Sequence, residues 1–171
     1  KARYPSSNAG KNVRVEGDSG TNRDISGFTG TGTNIYYGKD VTITGNIVNN
    51  EPKLNSGGQF AQTIIIADNI KISKDVTRVD AWLIASGEIN TCPVGKANVN
   101  ETNCGKPLAV NGPVIARTLN SWRTAGSNPN NREEPAETYN QRADVYLWAY
   151  GQAGGPGRII TTYTKELPVR Y

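Results

Sequence analysis

Apolar and polar residues alternate along several short segments of this chain, beginning near residue 34. In "NIYYGKDVTITGNIV" (34–48), Val41, Ile43 and Ile47 occupy alternate positions, and Gly45 fills the position between the last two. Alternation of this kind predicts a β-strand with one buried face. The densest apolar runs follow at 64–89, "IIIADNIKISKDVTRVDAWLIASGEI", where neither a helical stripe nor a two-residue hairpin turn is found.

Four short segments share one pattern, in which apolar residues are followed by a small or polar bend and then by further apolar residues. They are "YYGKDVTI" (36–43), "IIADNIKI" (65–72), "LIASGEIN" (83–90) and "LAVNGPVIA" (108–116). The bends contain Gly, Asn and Asp, which tolerate the backbone angles of tight corners. The shortest interval between matching positions is 18 residues, from Ile66 to Ile84.

This repetition predicts an all-β fold, a short parallel β-solenoid (β-helix) with an aromatic-rich C-terminal closure. In such a fold each coil buries its Ile, Val and Ala residues against the neighbouring coils. The alternative is a β-sandwich built from ordinary hairpins. Two-residue hairpin turns favour Asn-Gly or Asp-Gly, and the segments compared contain only one such pair, in "VNGPV".

Two regions are predicted on either side of residue 33. Residues 1–33 are poor in apolar residues and rich in Gly, Ser, Thr and Asn, so we expect an extended arm or a loop-rich cap. Residues 34–171 are expected to form a single β-solenoid-like domain. Its C-terminal part is rich in large amphipathic aromatics, which suit either the closure of an open end or a contact surface; these candidate contact aromatics are Trp122, Tyr146, Trp148 and Tyr150.

Composition and charge narrow the classes of function. The net charge is +4, and the 19 basic residues are scattered among 15 acidic ones, without the clustering that a nucleic-acid surface needs. No apolar run approaches the roughly 18 residues of a membrane span. We therefore expect no nucleic-acid partner, and membrane contact only through an anchor upstream of Lys1.

The only two cysteines are Cys92 and Cys104, which flank eleven mainly polar and small residues, "PVGKANVNETN". A disulfide that closes a surface loop is the simplest interpretation, and it predicts an oxidising compartment. The alternative is two free thiols in a reducing compartment. A metal site is not expected, since the chain has no His and no further Cys.

The sequence offers little for catalysis, and neither a catalytic residue nor a cofactor is predicted. The absence of His excludes Ser-His-Asp and Cys-His arrangements. One cluster of acidic residues is of interest, because glycosidases use two carboxylates. It consists of Glu133, Glu134 and Glu137. These residues lie in a polar segment and are expected to be solvated. A carbohydrate-active enzyme is therefore a weaker prediction than a structural subunit or an adhesin.

Residues 79–171 carry a group of motifs in a fixed order: "VDAWLIASGEINTCP", "PLAVNGPVIARTLNSWRTAG", "PAETYNQRADVYLWAY" and "ITTYTKELPVRY". In this order they resemble poorly characterised large exported surface proteins of candidate-phyla bacteria such as the Saccharibacteria. Val169 departs from the resemblance, which has a second Pro there. The resemblance implies a cell-surface protein with an upstream membrane anchor, and it implies no catalytic residues.

Together these observations predict a non-enzymatic extracellular or cell-surface module. Its expected role is that of a structural subunit of a surface filament or layer, through self-association or contact with a neighbouring surface protein. The alternative is an adhesin that binds a host cell or a glycan. The loops at 49–61 and 92–104 are the expected contact points, because recognition residues are commonly carried by surface loops on a rigid scaffold.

Overall fold

The computed structural model describes residues 13–50, 60–124 and 135–152. Within these ranges the chain forms two parallel β-sheets, two α-helices and one 3-10 turn. The larger sheet contains β1 (Val13–Glu16), β2 (Arg23–Ile25), β4 (Thr33–Ile43), β6 (Gln62–Ile72), β8 (Trp82–Ala85), β9 (Glu88–Asn90), β11 (Val114–Ile115) and β12 (Thr118–Asn120). The smaller sheet contains β3 (Phe28–Gly30), β5 (Ile47–Asn49), β7 (Arg78–Val79), β10 (Leu108–Asn111) and β13 (Glu137–Asn140). The 3-10 turn is Lys96–Asn98, and the α-helices are α1 (Glu101–Cys104) and α2 (Asp144–Gln152).

The centre of the larger sheet is the pair of eleven-residue strands β4 and β6, which run in register from Thr33 opposite Gln62 to Ile43 opposite Ile72. β1 and β2 pair with β4 on one side, and β8 and β9 pair with β6 on the other. β11 and β12 then pair with β8 and β9. The smaller sheet follows the order β3, β5, β7, β10, β13. The first strands of both sheets therefore come from residues 13–30, and the last strands of both come from the C-terminal part of the described chain.

The inner core is formed by apolar residues from both sheets. Ile43, Ile65 and Ile70 of the larger sheet belong to the same buried cluster as Val79 and Val110 of the smaller sheet. Burying one Ile or Val side chain stabilises the fold by about 1.5–3 kcal/mol. Alternation places Ile65 and Ala67, and again Ile70 and Ile72, on one face of β6; the phase changes between these two pairs, and all four residues belong to the inner core.

A second cluster, the outer cluster, covers the other face of the larger sheet. Ile35 and Ile64 are buried there beneath Trp148 of α2. The Trp148 ring meets the ring of Trp82 edge to face at a centroid distance of 5.7 Å, and its Nε1–H donates to Oγ1 of Thr33 at 2.7 Å. This helix explains why β4 and β6 begin with runs that are apolar on both faces.

The prediction of a parallel β-solenoid is wrong. The strands lie in two separate parallel sheets, and the described residues do not close into continuous coils. The aromatic-rich C-terminal closure is wrong as well, because Trp148 packs on the outer face of the larger sheet instead of over an open end. A sandwich of hairpins is equally wrong, since every strand pair in the described part of the chain is parallel. The coarser prediction of a mostly β fold is confirmed.

The predicted boundary at residue 33 stays a prediction. The described residues of the first region, 13–33, contribute β1, β2 and β3 to the edges of both sheets, and Ile25 is buried in the inner core. Residues 1–12 lie outside the described part of the chain.

Candidate interaction surfaces

Cys92 and Cys104 form a disulfide, with Cα atoms 5.9 Å apart, which confirms the predicted pairing. Both cysteines are buried. The chain between them contains the 3-10 turn and α1, whose N-cap Asn100 accepts a hydrogen bond from the backbone N–H of Asn103. The disulfide indicates an oxidising environment. Neither helix in the described part of the chain has the length and apolar character that a bilayer crossing requires.

The four candidate contact aromatics occupy different environments. Trp148 is only 8% exposed and belongs to the outer cluster. Tyr146, on the same helix, is 63% exposed. Trp122 is half-buried, and its backbone N–H donates to Oγ1 of Thr91. Tyr150 lies in the last turn of α2, where the structure describes its backbone but not its side chain. Of these residues, Tyr146 is therefore the one that the structure shows on the surface.

The carboxylate of Glu137 is engaged in structural hydrogen bonds. Its Oε1 accepts from Oγ1 of Thr91 at 2.6 Å and from the backbone N–H of Arg123 at 3.0 Å, and its Oε2 accepts from the hydroxyl of Tyr139. Burial, together with this hydrogen bond, raises the pKa of Tyr139 to about 12. Glu133 and Glu134 lie outside the described residues. In the described ranges, no three His, Cys, Asp or Glu side chains gather in a way that suits a metal ion.

Arg123 is a buried cation that the sequence did not single out. Its guanidinium donates to the backbone carbonyls of Ser73, Lys74 and Thr91 at 2.5–2.8 Å. Burial lowers the pKa of Arg123, while nearby Glu137 acts in the opposite direction. The residue ties the turn after β6 to the segment after β9, and a lone Arg within a polar stretch gives no sequence signal for that role.

A line of polar residues, here called the polar ladder, crosses the smaller sheet at or just beyond the C-terminal ends of its strands. It consists of Asn49, Asp80, Asn111 and Asn140, and each is hydrogen-bonded to the next. Asp80 is fully buried and also accepts two 2.9 Å hydrogen bonds from the guanidinium of Arg78. Burial works to raise the pKa of Asp80, but the hydrogen bonds from Arg78, Asn111 and Asn49 outweigh it and lower the pKa. The first three members lie 31 residues apart, a spacing that could have revealed the ladder.

The two ends of the paired sheets have different chemistry. We call the edge formed by β1, β2 and β3 the N-terminal end, and the edge formed by β11, β12 and β13 the C-terminal end. The N-terminal end holds a polar cleft of about 360 Å³, whose lining includes Arg14, Glu16, Arg23, Asp24 and Tyr36. The C-terminal end holds a groove of about 430 Å³, and the described residues that line it carry no charge: Gly112, Pro113, Val114, Leu119, Tyr139, Asn140 and Gln141.

No protein family model, curated protein or solved structure matches this chain.

Proposed function

We propose that this chain is a non-enzymatic structural module of an extracellular surface, and that it works by contact between an end of its paired sheets and another copy. The single observation that carries the proposal is the apolar C-terminal end. Leu119 is 42% exposed there, beside the half-exposed ring of Tyr139. An exposed apolar patch with unpaired strand edges favours association with a further protein surface.

Three further features support this role. The disulfide suits an oxidising location, and the resemblance of residues 79–171 suggests an exported surface protein. The described acidic residues nearest to the apolar groove serve internal contacts: Glu137 bonds Thr91 and Tyr139, and Asp144 pairs with Arg142. A subunit of a surface layer or filament needs a stiff body with adhesive edges, and two parallel sheets around one apolar core provide such a body.

The direct test is the molar mass of the full chain over a range of concentrations, measured by light scattering and analytical ultracentrifugation. Two variants, Leu119→Asp and Val15→Asp, each add a carboxylate to an exposed apolar position, the first at the C-terminal end and the second at the N-terminal end. We expect the wild-type chain to associate as its concentration rises, and Leu119→Asp to weaken that association at least tenfold. A chain that remains monomeric at several hundred micromolar would refute the proposal.

The adhesin remains a second candidate, because the N-terminal cleft combines aromatic and charged groups. Phe28 and Tyr36 pack with ring centroids 5.8 Å apart beside the exposed Arg14 and Asp24. The partly exposed Phe28 offers a saccharide an apolar surface, and the exposed Arg14 and Asp24 offer polar groups to bond it. A glycan-array screen of the wild-type chain tests this candidate. Binding that Asp24→Ala abolishes would support it, and an absence of binding would oppose it.

A further inference from the structure

Two columns of inward-facing residues run through every level of the larger sheet. In the first, Tyr36, Ile65, Leu83 and Val114 stand opposite one another on successive strands. In the second, the corresponding residues are Val41, Ile70, Ile89 and Leu119. Every member of the two columns except Leu119 belongs to the inner core or packs against it. A second molecule that extended the sheet would therefore have to continue both columns with apolar side chains.

At the N-terminal end both columns finish in charged residues. Glu16 is the register partner of Tyr36, and Arg23 is the register partner of Val41. Nη1 of Arg23 lies 2.7 Å from Oε2 of Glu16, and Arg14 also pairs with this carboxylate. The guanidinium of Arg23 covers the ring of Tyr36, with Cζ 5.6 Å from the ring centroid. Glu16 and Arg23 thus form a charged lid over the mouth of the apolar core.

This charged lid opposes extension of the sheet at the N-terminal end. About a quarter of each side chain is exposed, so the pair keeps some contact with water. A second molecule stacked on this end would remove that water, and the desolvation cost can exceed the attraction between the two charges. Inward-pointing charges on edge strands are a recognised protection against edge-to-edge pairing.

At the C-terminal end the same columns finish in Val114 and Leu119. Val114 packs against the inner core. The corresponding column of the smaller sheet runs Phe28, Ile47, Val79, Val110, Tyr139, so Tyr139 completes the same end. In the described part of the chain, no further strand pairs with β11, β12 or β13. Among the described residues, the strand edges at this end therefore have no further strand partner, and they surround an apolar groove.

Resting on the proposed function, we propose that the C-terminal end binds the C-terminal end of a second copy, and that Glu16 and Arg23 prevent growth from the other end. The apolar complement that the chain itself offers is the same end, because at the opposite end both columns of the larger sheet finish in the charged residues Glu16 and Arg23. The described residues that line the groove carry no charge, so two copies of this end can meet there without burying one. A two-fold contact closes on itself, whereas a head-to-tail contact continues into a polymer. The associated form is then a discrete pair, which suits a cross-link within a surface layer.

The experiment compares four full-length proteins by analytical ultracentrifugation and negative-stain electron microscopy: wild type, Leu119→Asp, Val15→Asp and the double variant Glu16→Leu/Arg23→Leu. We expect dimers for wild type and for Val15→Asp, and at least tenfold weaker dimerisation for Leu119→Asp. The double variant continues both apolar columns, so we expect it to form particles larger than dimers, including linear polymers. Circular dichroism and thermal melting establish that each variant is folded.

The outcomes separate this inference from the function on which it rests. A monomeric wild-type chain would overturn both. Wild-type filaments, or a loss of association in Val15→Asp equal to that in Leu119→Asp, would overturn the two-fold contact and leave the structural function standing. A folded double variant that stops at dimers would overturn the role of Glu16 and Arg23. If the double variant does not fold, Glu16→Gln/Arg23→Gln removes the charges with less change in volume, and the same distinction between dimers and larger particles applies.

Discussion

The carboxylate of Asp80 accepts a 2.7 Å hydrogen bond from Nδ2 of Asn111, which follows it by 31 residues in the chain. The backbone N–H of Asn49, 31 residues before Asp80, donates to the other carboxylate oxygen at 3.1 Å. Because β5, β7 and β10 are neighbouring parallel strands, one carboxylate links three levels of the smaller sheet. A shift of register by one residue would leave this buried charge without its partners, so the polar ladder favours one alignment of the strands.

Replacement of Asp80 by Asn is expected to destabilise the fold by about 2–3 kcal/mol, because hydrogen bonds to a charged group contribute about 1.5–3 kcal/mol and Arg78 and Asn111 lose their charged acceptor. Urea unfolding followed by circular dichroism measures the change. The matched control is Asp75→Asn, which removes an exposed ion pair with Lys106 and should leave the unfolding midpoint nearly unchanged. Equal effects of the two substitutions would contradict a special role for Asp80.

Acid is expected to destabilise the wild-type fold more steeply than the Asp80→Asn variant. The folded protein holds the pKa of Asp80 below its ordinary value of 3.8. The resulting stabilisation is complete above that ordinary value, and it is lost as the pH falls through the lower pKa of the folded state. Urea unfolding of both proteins between pH 6 and pH 2.5 provides the measurement. Parallel curves over this range would show that the ionisation of Asp80 is not linked to folding.

Arg123→Lys is expected to destabilise the fold by about 3 kcal/mol, since hydrogen bonds from a charged donor contribute about 1.5–3 kcal/mol each. The guanidinium reaches three backbone carbonyls from three nitrogens, and a single ammonium cannot reproduce that fork. The matched control is Arg117→Lys, at an exposed arginine for which a small change is expected. Hydrogen exchange adds a local measure, because loss of Arg123 should increase exchange in the turn at 73–76. Unchanged exchange there would contradict the role of Arg123 as a tie between segments.

The sequence predicted the strand spacing better than the architecture. Ile66 and Ile84, which lie 18 residues apart, are register partners, and the segments 36–43 and 65–72 align residue for residue. The fourth segment, 108–116, was aligned wrongly, because Leu108–Asn111 belongs to the smaller sheet and only Val114–Ile115 pairs with β8. Gly112 lies at this change of sheet, where a side chain would collide with the carbonyl of Ala81. Apolar alternation reports burial but not which sheet a strand joins.

The contact surfaces were harder to predict, because charged residues in a sequence usually indicate solvent. Glu16 and Arg23 lie in a stretch of Gly, Ser, Thr and Asn that indicates loops, yet both occupy inward positions. Their inward position depends on pairing with residues 18–20 positions further along the chain, Val41 and Tyr36. A local sequence pattern does not reveal this pairing. The environment of Trp148 was not predicted, because this residue lies on α2, a helix that the predicted β-rich C-terminal region did not include, and is buried against the larger sheet.

Removal of the disulfide by Cys92→Ala/Cys104→Ala is expected to cost roughly 3 kcal/mol, as estimated for a loop of this length by the chain-entropy model. Thiol–disulfide exchange requires access of the attacking thiolate to a sulfur, and both cysteines are buried. Mild reductant should therefore cleave the bond slowly in the native protein, and urea should accelerate cleavage. Maleimide labelling followed by mass spectrometry measures the rate, and the urea-unfolded protein serves as the control for full access. Cleavage at the same rate in native and unfolded protein would show that the bond is open to solvent and that burial of Cys92 and Cys104 does not protect it.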